Sequence, residues 1–167
     1  AGPRIGPMGK GRTRAASGNA ARLARRLARV PVVRGVVGLL GSRRYVVRGD
    51  SMRPGFEPEH YLLVSRTAYS SSLPKRGDVV IVRGLGGSRK GYLKRVVGLP
   101  GETVAVVDGT LIVDGEHIRE PYLAGLPATL GLENREWILG IREVFIMGDN
   151  RSHSTDSREL GPVDLSL

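Results

Sequence analysis

One serine of the chain, Ser51, lies among turn-forming residues in the stretch VRGDSMRPG, residues 47–55. Gly49 before it and the Pro54–Gly55 pair after it favour a bend, so we expect Ser51 in a loop and not in a regular element. A serine in a bend usually caps or stabilises the turn. It becomes a nucleophile only where a neighbouring base removes its proton.

Two kinds of side chain are candidates for that base. His153, in GDNRSHSTDSR, lies in the most polar setting of the three histidines. A lysine acts as a base only when burial lowers its pKa by several units. Lys94, in GYLKRVVGLPGE, fits this demand because on a strand it would share one face with Val96 while Arg95 takes the other. By composition alone, a surface lysine is the more usual interpretation of Lys94.

The composition argues against several other site chemistries. The chain has no cysteine, which excludes disulfides and thiolate metal sites, and His60, His117 and His153 show no ligand spacing. Carboxylates alone could still hold magnesium or calcium. We therefore predict a site that needs no metal and no cofactor.

Positive charge is concentrated at the start of the chain. Residues 1–44 contain eleven Arg or Lys and no Asp or Glu, whereas residues 45–167 carry a net charge of −1 within the total of +10. Such an arm suits phosphate-bearing partners, either anionic lipid or nucleic acid, or it is simply a solvated tail. Residues 1–19 are rich in Gly, Ala, Pro, Arg and Ser, which predicts a disordered basic tail.

Residues 20–44 are predicted to form a basic, membrane-associated segment. Leu23, Leu27 and Val30 recur at helical spacing among arginines, which predicts a short basic helix on a membrane surface. The apolar run 30–41 is interrupted by Arg34 and is shorter than the roughly 20 residues that a spanning helix needs. We therefore predict no ordinary transmembrane helix here.

From residue 45 onward the pattern is typical of β-structure. Short apolar runs bounded by Gly, Pro and Asp predict strands at 45–47, 61–64, 78–82, 92–98, 103–107 and 110–113, and a strand that runs into a turn at 143–150. Asp108–Gly109 and Asp114–Gly115 predict two tight hairpin turns. Almost no helix is predicted after residue 44, so residues 45–167 are expected to form a mainly β domain.

Three sequence blocks together resemble one known family. GDSMRPG, LKRVVGLPGE and GDNRSHSTDSRELGPV occur in this order. With them the chain resembles the bacterial type I signal peptidases, membrane-bound serine endopeptidases of the S26 type with a Ser-Lys dyad. The third block matches GDNR-x-x-S-x-D-S-R-x-x-G-x-V at every specified position, and the resemblance covers roughly residues 45–163. It implies a signal-peptidase/LexA-like antiparallel β catalytic domain with a reduced accessory β insertion at about 103–142.

The resemblance also assigns roles to individual side chains. Ser51 matches the nucleophile, and Lys94 matches the general base that later protonates the leaving amine. Ser154 matches a serine whose hydroxyl orients the lysine, and Met52 matches a residue lining the substrate cleft. The backbone N–H of Ser51 is expected to donate to the oxyanion.

A further group of matched residues is expected to support the active-site loop. Asp156 and Arg158 match a buried ion pair, although from spacing alone they could be an exposed pair of little energetic value. Asp149 and Asn150 belong to the same loop and are expected to be structural. Some relatives add an oxyanion-binding hydroxyl two residues before the nucleophile, where this chain has Gly49.

The chain departs from the family pattern in three places. Gly55 stands where the family usually has Thr, and only the short segment 30–41 precedes the serine where relatives have one or more transmembrane helices. The sequence also ends at Leu167, soon after the third block, where relatives continue into another strand.

The resemblance implies a serine endopeptidase that removes N-terminal signal peptides from secreted preproteins, cutting after small residues at −1 and −3. Its partners would be those preproteins and anionic membrane lipids, with the catalytic domain on the extracytoplasmic side of the cell membrane. Specific nucleic-acid binding is not expected. Two alternatives stay open: a self-cleaving repressor-type Ser-Lys peptidase with DNA as partner, and a non-catalytic β-domain that binds membrane or partners.

Overall fold

A computed structural model describes residues 42–87, 90–125 and 135–166 of the chain. The predictions for the tail at 1–19, and for all but the end of the segment 20–44, lie outside the described residues. The first strand, β1, begins at Ser42, within the range expected for the membrane-associated segment, and not at Tyr45.

The described residues form ten short strands. They are β1 (Ser42–Val46), β2 (Tyr61–Ser65), β3 (Val79–Arg83), β4 (Gly91–Gly98), β5 (Thr103–Val107), β6 (Thr110–Val113), β7 (Glu116–His117), β8 (Arg135–Ile138), β9 (Glu143–Met147) and β10 (Val163–Asp164). The only α-helix in these ranges is α1 (Ser157–Leu160). Three 3-10 turns lie at Leu85–Gly87, Pro121–Leu123 and Arg151–His153. The prediction of a mainly β fold is confirmed, and no helix in the described ranges is long and apolar enough to cross a membrane.

The strands form three antiparallel sheets. β1 pairs with β2, and a four-stranded sheet has the order β10-β9-β4-β3. A second four-stranded sheet has the order β7-β6-β5-β8. Its strands span residues 103–138, within the range expected for the accessory insertion. We call the sheet β10-β9-β4-β3 the central sheet. Its strand β4 carries Lys94, and the loop with the GDNR residues follows its strand β9.

Each face of the central sheet packs against one of two apolar clusters, because successive side chains on its strands point in opposite directions. On β9, Val144 and Ile146 pack into one cluster with Val82 and Val163, while Phe145 and Met147 point into the other. Phe145 also lies beside Trp137 of β8, with ring centroids 4.7 Å apart. The period-two alternation therefore fixes the side-chain directions on β9 and on β4 as far as Val96, beyond which the pairing of the two strands shifts register.

The two predicted Asp-Gly hairpins are present in the second four-stranded sheet. Asp108 and Gly109 have φ angles of 48° and 74°, and Asp114 and Gly115 have 50° and 81°. Positive φ at both central residues is the type I′ geometry, which matches the twist of the flanking strands. β8 was not predicted, since REWI carries charged residues and lacks a clear alternation.

Candidate active site

The structure brings Ser51 and Lys94 into direct contact. Lys94 lies on β4 opposite Val80 of β3, and Ser51 lies in the turn that follows β1. This turn is closed by the Arg53 amide donating to the Asp50 carbonyl at 3.1 Å and by the Phe56 amide donating to the Met52 carbonyl at 2.9 Å. Lys94 Nζ lies 2.9 Å from Ser51 Oγ, a hydrogen-bond distance across 43 residues of sequence.

Burial makes Lys94 an unusual lysine. It is 2% exposed, and this burial lowers the pKa of its ammonium from the ordinary value of 10.5. The charge of Asp156 acts in the opposite direction, Arg158 adds to the lowering, and Asp149 opposes it. The net effect is downward because removing a lysine from water penalises its charged form. The structure therefore favours the neutral amine more than an exposed lysine would.

Asp156 organises the loop beside this pair. Its carboxylate accepts hydrogen bonds from the Ser154 hydroxyl at 2.7 Å and from the Gly148 amide at 2.8 Å. Arg158 donates to the same carboxylate through Nε at 2.9 Å and Nη2 at 3.0 Å, and the pair is buried. Ser154 donates to Asp156, and no hydrogen bond joins Ser154 to Lys94 in the part of the chain that the structure describes. The predicted orienting role of Ser154 toward Lys94 stays a prediction.

Two residues of the GDNR block hold the backbone of the serine turn. The Asn150 amide donates to the Ser51 carbonyl at 3.0 Å, and Asn150 Nδ2 donates to the Asp50 carbonyl at 3.1 Å. Gly148 lies so close that a Cβ there would overlap both the Ser154 hydroxyl and the Ser51 carbonyl oxygen. The sequence marked these residues through the GDNR match, but their contacts with the serine turn depend on a pairing 100 residues apart in the chain.

A second buried polar cluster lies on the other side of the same loop. Arg95 donates to Asp149 through Nε at 2.8 Å and Nη2 at 2.7 Å, with its guanidinium carbon 4.0 Å from the centre of the Tyr122 ring. Arg151 pairs with Glu120 at 2.5 Å, and the Tyr122 hydroxyl donates to Glu120. Sequence reasoning missed Glu120 and Tyr122, since an isolated Glu-Pro-Tyr in a loop has no chemical signature of its own.

Three further predicted groups are Met52, His153 and the backbone N–H of Ser51. Met52 is 1% exposed, and its expected place in the substrate cleft stays a prediction. His153, the alternative base, is exposed, and its Nδ1 lies 2.8 Å from the Ser152 hydroxyl. The Ser51 amide has no hydrogen-bond acceptor within the described ranges, and its expected role as an oxyanion donor stays a prediction. No cluster of three metal-ligating side chains occurs among the described residues.

An apolar groove of about 630 Å³ runs between the β1–β2 sheet and β3. Its walls include Tyr45, Leu62, Val80, Ile81 and Leu93. Tyr45 belongs to the strand that leads to Ser51, and Leu93 is the residue before Lys94. Neither Ser51 nor Lys94 lines the groove, and its connection to the pair is Val80, which lies opposite Lys94 on the neighbouring strand.

Comparisons with known proteins point in one direction. The family described as signal peptidase, peptidase S26, matches residues 22–166. The chain is 34% identical over 130 residues to signal peptidase I V of Bacillus subtilis, covering 71% of this chain and 76% of that protein. It is 37% identical over 136 residues to signal peptidase I of Bacillus licheniformis, covering 72% and 68%.

A solved structure supports the same relationship. The crystal structure of a signal peptidase I from Enterococcus faecalis matches with a TM-score of 0.50 and 28% identity, covering 57% of this chain and 92% of that one. The family match extends over most of the sequence, and it includes the Ser51 turn, β4 and the loop after β9. The chain belongs to the signal peptidase family, peptidase S26.

Proposed function

We propose that this chain is a serine endopeptidase that removes signal peptides from secreted preproteins, with Ser51 as nucleophile and Lys94 as general base. The observation that carries the proposal is the 2.9 Å contact between Lys94 Nζ and Ser51 Oγ, made by a lysine that is almost fully buried. A buried lysine with a lowered pKa has the property that a neutral proton acceptor requires.

The proton moves in a closed cycle. Neutral Lys94 takes the hydroxyl proton of Ser51 as Oγ attacks the scissile carbonyl, and the Ser51 N–H donates to the oxyanion that forms. The Lys94 ammonium then protonates the leaving amine, which releases the mature protein and leaves an acyl-serine. Lys94 next takes a proton from water as that water attacks the ester. Returning this proton to Ser51 Oγ releases the signal peptide and restores both groups.

The loop after β9 maintains this geometry. Asp156 is held by Arg158 and accepts from Ser154, which leaves the Ser154 oxygen lone pairs available to a Lys94 N–H. The Asn150 amide fixes the Ser51 carbonyl on the other side of the nucleophile. Hydrogen bonds of this kind reduce rotation of the two reacting groups, which is the usual way that a fold maintains a reactive geometry.

The substrate would bind as an extended chain. β3 is an edge strand of the central sheet, so its free backbone groups can pair with a peptide backbone. The apolar walls of the groove beside β3 would accept the small side chains of that peptide. We propose cleavage after small residues at −1 and −3, as in Ala-x-Ala signals. The basic residues at 1–44 would bind anionic lipids, with the catalytic domain at the extracytoplasmic face of the cell membrane.

The test is cleavage of a preprotein with an Ala-x-Ala signal in detergent micelles. The parent chain should cut at the signal junction, and Ser51→Ala and Lys94→Ala should each reduce the rate by roughly 10⁴-fold or more. Ser71→Ala and Lys75→Ala remove the same groups from exposed positions and should cut like the parent. Absence of cutting by the folded parent would refute the proposal and favour a binding module, whereas cutting that survives Ser51→Ala would exclude Ser51 as the nucleophile.

A further inference from the structure

A turn in the segment between β7 and β8 contacts Arg151 in the loop that follows β9. The turn is the 3-10 segment Pro121–Leu123 with Glu120 before it, and we name it the 120–123 turn. Glu120 pairs with Arg151, and the Tyr122 ring lies against the guanidinium of Arg95, so both residues contact side chains outside the second four-stranded sheet. The second four-stranded sheet is thereby connected to the loop that carries Gly148 and Asn150.

The first connection runs through Arg151. Its guanidinium pairs with both carboxylate oxygens of Glu120, at 2.5 and 3.2 Å, and the two side chains are 2% and 5% exposed. Arg151 Nε also donates to the Gly148 carbonyl at 2.9 Å. Glu120 therefore fixes the guanidinium that in turn fixes the backbone of Gly148, whose amide donates to Asp156.

The second connection runs through Tyr122 and Arg95. The Tyr122 ring covers the guanidinium of Arg95, whose fork holds both carboxylate oxygens of Asp149. The Tyr122 hydroxyl donates to Glu120, and burial together with this bond raises its pKa, so it remains a donor at all working pH values. The two connections thus meet at Glu120 and hold Gly148, Asp149 and Arg151 from one side.

The opposite side of the same loop contacts the nucleophile. Asn150, between the two anchored residues Asp149 and Arg151, donates to the carbonyls of Asp50 and Ser51. A displacement of the loop is therefore transmitted directly to the turn that presents Ser51 Oγ to Lys94. Buried ion pairs often contribute little net stability, because desolvation offsets their attraction. The Arg95–Asp149 and Arg151–Glu120 pairs are better explained by the fixed position that they give to the Gly148–Arg151 loop.

We propose that Glu120 and Tyr122 are positioning residues for peptide-bond cleavage, which clamp the Gly148–Arg151 loop and through Asn150 set the Ser51–Lys94 contact. This inference rests on the proposed function of the site. It assigns the second four-stranded sheet a part in catalysis, since the 120–123 turn belongs to that sheet's connection between β7 and β8.

The kinetic test compares Glu120→Gln, Tyr122→Phe and Tyr122→Leu with Glu116→Gln, an exposed carboxylate on β7 of the same sheet. Misplacement of a reacting group costs up to roughly 10²-fold in rate, so Glu120→Gln and Tyr122→Leu should lower kcat by about 10- to 100-fold. Their KM should stay within about twofold of the parent, since the groove is untouched. Tyr122→Phe keeps the ring over Arg95 and should lose less than Tyr122→Leu, whereas Glu116→Gln should match the parent.

A measurement that does not depend on activity separates this inference from the proposed function. Hydrogen exchange of the Asn150 amide, which donates to the Ser51 carbonyl, should be at least about tenfold faster in Glu120→Gln, with β4 and β9 amides protected as in the parent. Unchanged exchange and unchanged kcat would overturn the clamp, as would a rate loss matched by faster exchange throughout the domain. If the parent does not cut, the proposed function fails and the Asn150 exchange alone decides whether the clamp exists.

Discussion

Lys94 and Arg95 are adjacent basic residues on β4, one buried and one half-buried, and their pKa values shift in opposite directions. Lys94 meets the Ser51 hydroxyl at 2.9 Å, and burial lowers its pKa. For Arg95 burial also acts to lower the pKa, but the hydrogen bonds and charge of Asp149 outweigh it, so its pKa is raised. One face therefore prepares a cation to lose its proton, and the other fixes a cation that keeps it.

The two residues differ in burial, since Lys94 is 2% exposed and the Arg95 side chain 12%, and they differ in their partners. Asp149 offers Arg95 two oxygens at 2.7 and 2.8 Å, whereas the carboxylate beside Lys94, that of Asp156, is already occupied by Arg158, Ser154 and the Gly148 amide. A carboxylate whose lone pairs are used does less to stabilise a nearby ammonium. Arg158 pairs with Asp156, and its own charge acts to lower the pKa of Lys94.

Exchanging the two cation types gives the largest expected effect. Lys94→Arg places a guanidinium that does not deprotonate next to Ser51, and cleavage should fall by roughly 10⁴-fold or more. Arg95→Lys retains the charge but loses the two-pronged bond to Asp149 and the ring contact with Tyr122. It should destabilise the fold by about 2 kcal/mol and lower the rate by about tenfold or less. Signal-peptide cleavage and chemical denaturation measure the two effects.

Circular dichroism of both variants supplies the control for folding. If a folded Lys94→Arg variant retained more than a few per cent of parental cleavage, Lys94 would not be the base and the contrast between the faces would have no catalytic meaning. If Arg95→Lys proved as inactive as Lys94→Arg while remaining stable, the Asp149 face would have a direct chemical role.

The sequence predicted the β class, the hairpins and the face of Lys94, because period-two alternation and Asp-Gly turns are local signals. It did not predict β8, or the contacts of Glu120 with Arg151 and of Tyr122 with Arg95, because these depend on segments far apart in the chain. Glu120 meets Arg151 across 31 residues, and Arg95 meets Asp149 across 54. Asn150 was expected to be structural, but the carbonyls that it holds could be identified only in three dimensions.

Gly148→Ala should give the next largest effect, on the Lys94 face alone. The added Cβ would overlap the Ser154 hydroxyl and the Ser51 carbonyl oxygen, so the serine turn must move away from Lys94. A displacement of this kind is expected to cost roughly 10²-fold in kcat. Gly140→Ala is the matched control, since the three atoms nearest to its added Cβ all belong to the flexible Glu143 side chain. Parental kcat in Gly148→Ala would show that the close approach does not fix the nucleophile.

The pH dependence of cleavage and of stability tests the lowered pKa of Lys94. Lys94 has a folded-state pKa below 10.5, so its neutral fraction and the cleavage rate should rise about tenfold per pH unit until that pKa is reached. Between the lowered pKa and 10.5 the unfolded chain binds more protons than the folded one, so stability also rises with pH there. Lys94→Met should therefore stabilise the fold at low pH, with a gain that shrinks as pH approaches 10.5. Cleavage that falls between pH 6 and 9 in folded protein would contradict the neutral-lysine mechanism.

The smallest expected effect concerns Gly55 on the Asp149 face, where the family usually has threonine. A Cβ at this position would lie 3.3 Å from Asp149 Oδ2, and Gly55 does not have a positive φ angle, so a side chain is compatible with its backbone. In Gly55→Thr the hydroxyl can donate to that carboxylate, whereas the isosteric Gly55→Val brings a methyl group to the same place. A hydrogen bond to a charged group is worth about 1.5–3 kcal/mol, so the threonine variant should be more stable than the valine variant by roughly 1 kcal/mol or more.

Urea unfolding of both variants measures this difference, and cleavage by Gly55→Thr should stay within about twofold of the parent because Arg95 already holds Asp149. Equal stability of the two variants would mean that Asp149 has no capacity for a further donor, and that the Arg95 face is complete without the family hydroxyl.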